Sequence, residues 1–190
     1  MRNNNMPRKG NWDMNADFDT IWDKLLAIHQ NTTKPKLKLY SAVLLFQLRN
    51  GLRVSEGVEA FNKWLKEGGK EIEINLKKKR KPVTRTIYTP KPLLKENREE
   101  YNWILPKLQD PKAVIELTEK VKKFCRKYLG VNSHSLRYAY ITKLIKQGVE
   151  PTIVAKITKH SDLRFILKYV QEKQAEEVAK DMKTTDGREI

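Results

Sequence analysis

One cysteine, Cys125, stands in 190 residues. An internal disulfide is therefore excluded, and so is a cysteine-rich zinc site. Histidine is nearly as scarce: His29, His134 and His160 are scattered, with no metal-ligand spacing among them. No apolar run is long enough to span a bilayer, and the opening MRNNNMPRKG has no apolar signal core. Internal repeats and low-complexity linkers are absent between residues 17 and 181. These absences point to an intracellular, soluble, metal-free protein. Acidic residues are also too few to balance the basic ones. Against 23 Asp and Glu stand 39 Lys and Arg, which gives a formal charge of +16 and a sequence pI of about 9.8. A surplus of that size points to a polyanion, most often nucleic acid, with an acidic membrane surface as the rival.

The length suits one domain with a real core. Residues 1–16 read as a flexible basic arm. Ile21, Leu25 and Ile28 fall at helical spacing between Asp17 and His29, and Thr32 to Pro35 break that helix. Leu37 to Leu48 is a second helix, apolar enough to be buried on most sides, and Asn50-Gly51 ends it in a turn. A third helix, with Ser55 as its expected cap, carries Val58, Phe61, Trp64 and Leu65 and stops at Gly68-Gly69. The period then changes to two. Ile72, Ile74 and Leu76 alternate, five basic residues (Lys77 to Lys81) and Pro82 follow, and VTRTIYTP returns, so a β-hairpin presents positive charge at its tip. Beyond Pro92 the pattern is helical again. One helix is expected over Ala113 to Tyr128 and another from His134 to Gln147, capped by Ser133. A third is expected from Pro151 to near His160, and a last one from near Asp162 toward Asp181. The fold class is mainly α with one small antiparallel β-sheet. Residues 17–181 form one domain and 182–190 a flexible tail.

Breaking a phosphodiester without a metal needs a nucleophile, cations on the two non-bridging oxygens, an acid for the leaving oxygen, and in-line geometry. Arginine suits the oxygens because its planar fork makes paired, charge-assisted bonds. Lysine suits the leaving oxygen because it releases a proton, and tyrosine serves as nucleophile where cations favour the phenolate. Three stretches supply these parts: NGLRVSE (Asn50 to Glu56), HSLRYAY (His134 to Tyr140) and TKHSDLRFILKY (Thr158 to Tyr169). Arg137 precedes Gly148 by 11 residues and His160 by 23, and Tyr169 follows His160 by nine.

In these stretches, their order and their spacing, roughly residues 35 to 175 resemble the tyrosine recombinases, or phage integrase family. The resemblance implies that fold, and it implies that Arg53 and Arg137 clamp the scissile phosphate. His134 and His160 would bond the same phosphate or assist proton transfer, and Tyr169 would attack phosphorus to leave a 3′-phosphotyrosyl link. No metal and no ATP are implied. The family keeps a catalytic lysine in the hairpin. Lys79 is the expected one, with Lys78 and Lys81 behind it, while Lys77, Lys78, Arg80, Lys81 and Lys159 would hold DNA. Double-stranded DNA is the implied partner, with tetramers on paired sites, in the cytoplasm at the nucleoid or in the host cell of a virus.

Two positions depart from the family pattern: Tyr138 stands where His or Arg is frequent, and Thr158-Lys159-His160 replaces Leu-Gly-His. Only some 35 residues precede the core, too few for the family's N-terminal domain. The chain is thus either a minimal recombinase, which the starting methionine favours, or one domain of a longer protein. From Val170 onward the charge is −2, which fits docking on a neighbouring subunit or packing on its own core better than contact with DNA. Two alternatives to an enzyme stand beside this reading. One is a DNA-binding protein of the same fold whose chemistry is silent. The other is a helix-turn-helix regulator that reads a groove with Pro151 to Lys159.

Overall fold

The computed structural model describes residues 16–76 and 83–159, together with Ile166, Leu167, Ala175 and Ala179. Lys77, Lys78, Lys79, Arg80, Lys81, His160 and Tyr169 therefore lie outside the described residues, as do nearly all of the N-terminal arm and the whole of the 182–190 tail. The chain divides into two compact units between Tyr140 and Ile141.

In the first unit Asp17 caps α1 (Phe18–Asn31), accepting the Thr20 amide at 2.9 Å, and Ile21, Leu25 and His29 form its buried stripe. Pro35 opens α2 (Pro35–Asn50), a position where its missing N–H removes no helical bond. Every residue of α2 from Ser41 to Leu48 is buried, because α1, α3 (Val54–Glu67) and α5 (Pro111–Phe124) all pack against it. Gly51 closes α2 in the left-handed conformation, with φ 59°. Val58, Phe61, Trp64 and Leu65 of α3 point inward as their spacing predicts. Phe46, Phe61, Trp64 and Tyr101 form an aromatic group with ring centroids 5.2 to 6.0 Å apart.

The hairpin pairs β1 (Glu71–Asn75) with β2 (Thr84–Tyr88) antiparallel, from Glu71 opposite Tyr88 to Asn75 opposite Thr84. Ile72, Ile74, Arg85 and Ile87 share its buried face. Past it, Lys91–Lys95 and Arg98–Ile104 are 3-10 helices and α4 (Leu105–Leu108) is one short α-helix. Pro92 and Pro106 each stand in the first turn of their helices, where a missing N–H removes no helical bond.

Three local expectations change. Ser55 does not cap α3; it lies inside the first turn, and Glu56 serves the helix start instead. Nor does Ser133 cap α6 (Ser133–Lys146): the Asn132 side chain accepts the amides of His134 and Ser135 at 2.9 and 3.0 Å. Finally, α5 passes into a π-helical turn, Cys125–Leu129, before Gly130. The wider turn rotates the stripe by a residue, so Leu129 is buried and Tyr128 is exposed.

A polar knot ties α1 and α2 to the 3-10 segment. The Glu96 carboxylate accepts from His29 Nε2 (3.0 Å) and Tyr101 Oη (3.0 Å) and pairs with Lys38 Nζ (2.9 Å). Burial pushes this carboxyl up, but the bonds from His29, Lys38 and Tyr101 outweigh it and hold its pKa below the usual carboxylate range. A carboxylate with a depressed folded pKa stabilises the fold above its unfolded value and loses that contribution as pH falls through the folded one. Glu96→Gln is therefore expected to cost about 2 kcal/mol at neutral pH. It should also flatten the acid limb of the stability curve, which thermal melts at pH 7 and at about pH 3.5 will read.

In the second unit, the end of α6 is closed by Gly148 (φ 80°), whose N–H donates to Ile145 O at 2.9 Å. Pro151 opens α7 (Pro151–Thr158), which buries Val154 and Thr158 and leaves Ile153 and Ile157 exposed. Lys159 follows as the left-handed cap at φ 54°, the non-glycine residue with positive φ among the described residues. The Lys159 backbone explains why glycine is usual at this position in the pattern the sequence resembles. A β-carbon there is strained by roughly 1 kcal/mol. Lys159→Gly is accordingly expected to raise stability by about that amount, and, if Lys159 holds a phosphate, to lower the salt slope of DNA binding by about one. A melt and a salt titration check the two effects separately.

Candidate active site

The turn from α2 to α3 seats the first arginine. Gly51 is required there twice over: its φ is left-handed, and a β-carbon would overlap the Tyr140 ring. The chain then extends through Leu52 to Arg53, the residue that starts α3. Glu56 Oε2 accepts the Arg53 amide and Oε1 accepts Arg53 Nη1, both at 2.8 Å. One carboxylate thus satisfies the helix start and orients the guanidinium. Arg53 keeps 30% side-chain exposure, so it is open to a ligand, while Glu56 is buried.

The second arginine comes from α6. Arg137, 1% exposed, donates from Nη1 to the Gly51 carbonyl at 2.8 Å, and the same nitrogen lies 3.8 Å from Glu56 Oε2. The two arginines, 84 positions apart in sequence, therefore share one carboxylate. Burial and the Arg53 charge bring the Arg137 pKa down to about 10, which leaves it a cation at neutral pH. His134 lies three residues before Arg137, hence on the same helical face. Its ring stands edge-on to Tyr138, with centroids 5.1 Å apart.

A third arginine belongs to this neighbourhood, and sequence reading missed it. Arg85 on β2 is 7% exposed, and its Nη2 donates to the Asn50 carbonyl. The signal was available. In TRTIY, period-two alternation puts Arg85 on the face of Ile87, so a basic side chain occupies a core position. Glu56 was likewise quoted as part of a motif but given no task. Two guanidiniums on one carboxylate, with a third on the adjoining Asn50 carbonyl, leave a surplus of positive charge, and such forks suit a tetrahedral oxyanion such as a phosphodiester.

The sequence pattern of the phage integrase family matches residues 21–176. The chain belongs to that family. Two relatives are similar over more than nine tenths of this chain. "Putative integrase ORF241" of Acidianus two-tailed virus is 34% identical over 177 residues, covering 92% of this chain and 70% of the viral one. An uncharacterised protein of Methanocaldococcus jannaschii is 29% identical over 206 residues, covering 93% of this chain and 91% of its own. No solved structure matches the chain significantly.

Of the residues expected from the integrase pattern, the structure brings Arg53 and Arg137 together on Glu56, places His134 one turn before Arg137 on α6 against Tyr138, and makes Lys159 the cap of α7 in the other unit. Lys79, His160 and Tyr169 lie outside the described residues. Two tyrosines of α6 are poorly suited to attack. Tyr138 is 5% exposed, and burial pushes its phenol up to about 12. Tyr140 is also raised by burial, and its ring is wedged against Gly51. Tyr128 is exposed, its ring tilted by 31° against that of Phe124 with centroids 4.7 Å apart.

Proposed function

We propose that this integrase-family chain breaks and rejoins DNA strands at specific sites through a 3′-phosphotyrosine intermediate, with residues 17–181 working as one catalytic domain. The observation that carries the reading is the Glu56 carboxylate shared by Arg53 and Arg137, which sets the partly exposed fork of Arg53 beside the buried fork of Arg137. Bound there, a scissile phosphate places its non-bridging oxygens on the two guanidiniums, and charge building on those oxygens is stabilised as phosphorus becomes five-coordinate. Tyr169 Oη attacks phosphorus. The bond to the 5′-oxygen breaks, and that oxygen takes a proton from the hairpin lysine, for which Lys79 remains our assignment, with Lys78 and Lys81 next. His134 and His160 bond the phosphate or assist the proton transfer. The new ester conserves the energy of the old one, so a 5′-hydroxyl from the same or a second duplex reverses the step without ATP or a metal. The surplus charge of +16 supports DNA as the partner. A paired-site tetramer acting in the cytoplasm on viral or chromosomal DNA belongs to the same proposal.

The test is a denaturing gel of the protein with a duplex nicked close to the cleavage point, so that the cut fragment diffuses away and the covalent product accumulates. A labelled protein–DNA adduct supports the enzyme reading. DNA binding with no adduct at any recovered site favours the silent DNA-binding protein instead.

A further inference from the structure

We propose that Arg85 is a positioning residue of this site. With Arg137 it holds the consecutive carbonyls of Asn50 and Gly51, and so it fixes the strand leaving the lysine-bearing hairpin against the turn that presents Arg53. The catalytic part of this inference rests on the recombinase reading; the structural part does not.

Three observations lead to it. The first is placement: Arg85 occupies an inward position of β2 directly opposite Ile74, where an aliphatic residue would complete the buried face. The second is connectivity. Arg85 Nη2 donates to Asn50 O, and Arg137 Nη1 donates to Gly51 O. The Asn50 side chain then grips the same strand, with Nδ2 donating to Tyr88 O at 2.9 Å and Oδ1 accepting the Tyr88 amide at 2.8 Å. Strand β2 is thus fastened at Arg85 and at Tyr88 to one residue of the turn. The third is cost. Arg85 Nη1 is buried with no hydrogen-bond partner among the described residues. A desolvated cation with an unmet donor is less favourable for folding than a well-packed apolar side chain. Stability alone therefore does not account for an arginine here. Geometry does. On the recombinase reading, the hairpin and the Arg53 turn bring groups to one phosphate from different parts of the chain, and an error of about 1 Å between them costs on the order of 100-fold in rate. Arg85 also lies close enough to Arg137 and Glu56 for its charge to act on both, which adds to the anion-seeking character of the cluster.

The test compares the full chain with Arg85→Met, which fills the space without charge or fork, and Arg85→Lys, which keeps the charge and reaches one carbonyl. Amide hydrogen exchange is followed at Leu52, Arg53 and Tyr88, whose N–H groups bond to Gln47 O, Glu56 Oε2 and Asn50 Oδ1. Val121 in the core of α5 is the reference. In Arg85→Met, exchange at the three amides should rise about tenfold or more with Val121 unchanged. Adduct formation at saturating DNA should slow about 100-fold with the Kd little altered. Arg85→Lys should recover part of both. Unchanged exchange at the three amides overturns the proposal, and so does equal acceleration at Val121 in both variants, which would mark a general support of the core. An adduct rate that falls only as far as affinity does also overturns it. If the wild type forms no adduct, the recombinase reading fails, and the exchange pattern alone decides whether Arg85 is the fastener described.

Discussion

Tyr169→Phe is expected to form no covalent adduct with DNA. The change removes one oxygen, the atom assigned to attack phosphorus. Nothing else within the family spacing replaces it, since Tyr138 is buried with its phenol held protonated and Tyr140 is wedged against Gly51. In-line displacement tolerates little misplacement, so a tyrosine elsewhere does not substitute. Affinity should persist, because it arises from the basic surface and from counterion release rather than from one hydroxyl. Stability should change by at most about 1 kcal/mol, the net worth of one hydrogen bond. The measurement pairs the denaturing gel with a binding titration at matched salt. An adduct from the Phe variant would move the nucleophile to another residue and remove the role assigned to the nine-residue interval from His160.

How far the site was legible depended on which physical rule each residue obeys. Gly51 was readable as a turn, because a helix that ends in Asn-Gly needs a left-handed residue. Arg53 and Arg137 were readable through the family pattern, yet the near-complete burial of Arg137 was not, since arginine is ordinarily a surface residue. Arg85 escaped because the strand was read for its apolar members, and its polar member on the same face was passed over. Both helix caps were placed on serines by composition. The structure gives the first turn of α3 to a glutamate that also orients Arg53, and the first turn of α6 to Asn132, one residue upstream of the serine. Composition cannot choose among neighbouring acceptors; backbone geometry does. The π turn at Cys125–Leu129 lies beyond a 3.6-residue periodicity by its nature. His29 appeared isolated because its partner Glu96 lies 67 positions away and is brought to it only by the packing of α1 and α2 under the 3-10 segment.

Replacing each clamp arginine by lysine is expected to separate two contributions that the structure assigns unequally. Lysine keeps the charge but lacks the fork, so it cannot bond two oxygens while also bonding Glu56 or a backbone carbonyl. Arg53→Lys should slow adduct formation by about 100-fold or more, the loss seen when a preorganised donor is withdrawn from developing charge. Its melting temperature should move little, because Arg53 is partly exposed and the Glu56–amide bond that starts α3 survives the change. Arg137→Lys should slow the same step at least as much and also destabilise the fold by about 1–3 kcal/mol, because the Gly51 carbonyl loses its donor and the guanidinium 3.8 Å from the buried Glu56 is withdrawn. Glu56→Gln provides the cross-check. It is nearly isosteric and still accepts the Arg53 amide, but it withdraws the negative charge that offsets the guanidiniums. Stability should fall there too, although neither arginine has been touched. Melts and single-turnover rates on the three variants read both quantities at once. If Arg53→Lys cleaved at the wild-type rate, Arg53 would be only a helix-start residue, and the clamp built on the shared carboxylate would have to be abandoned.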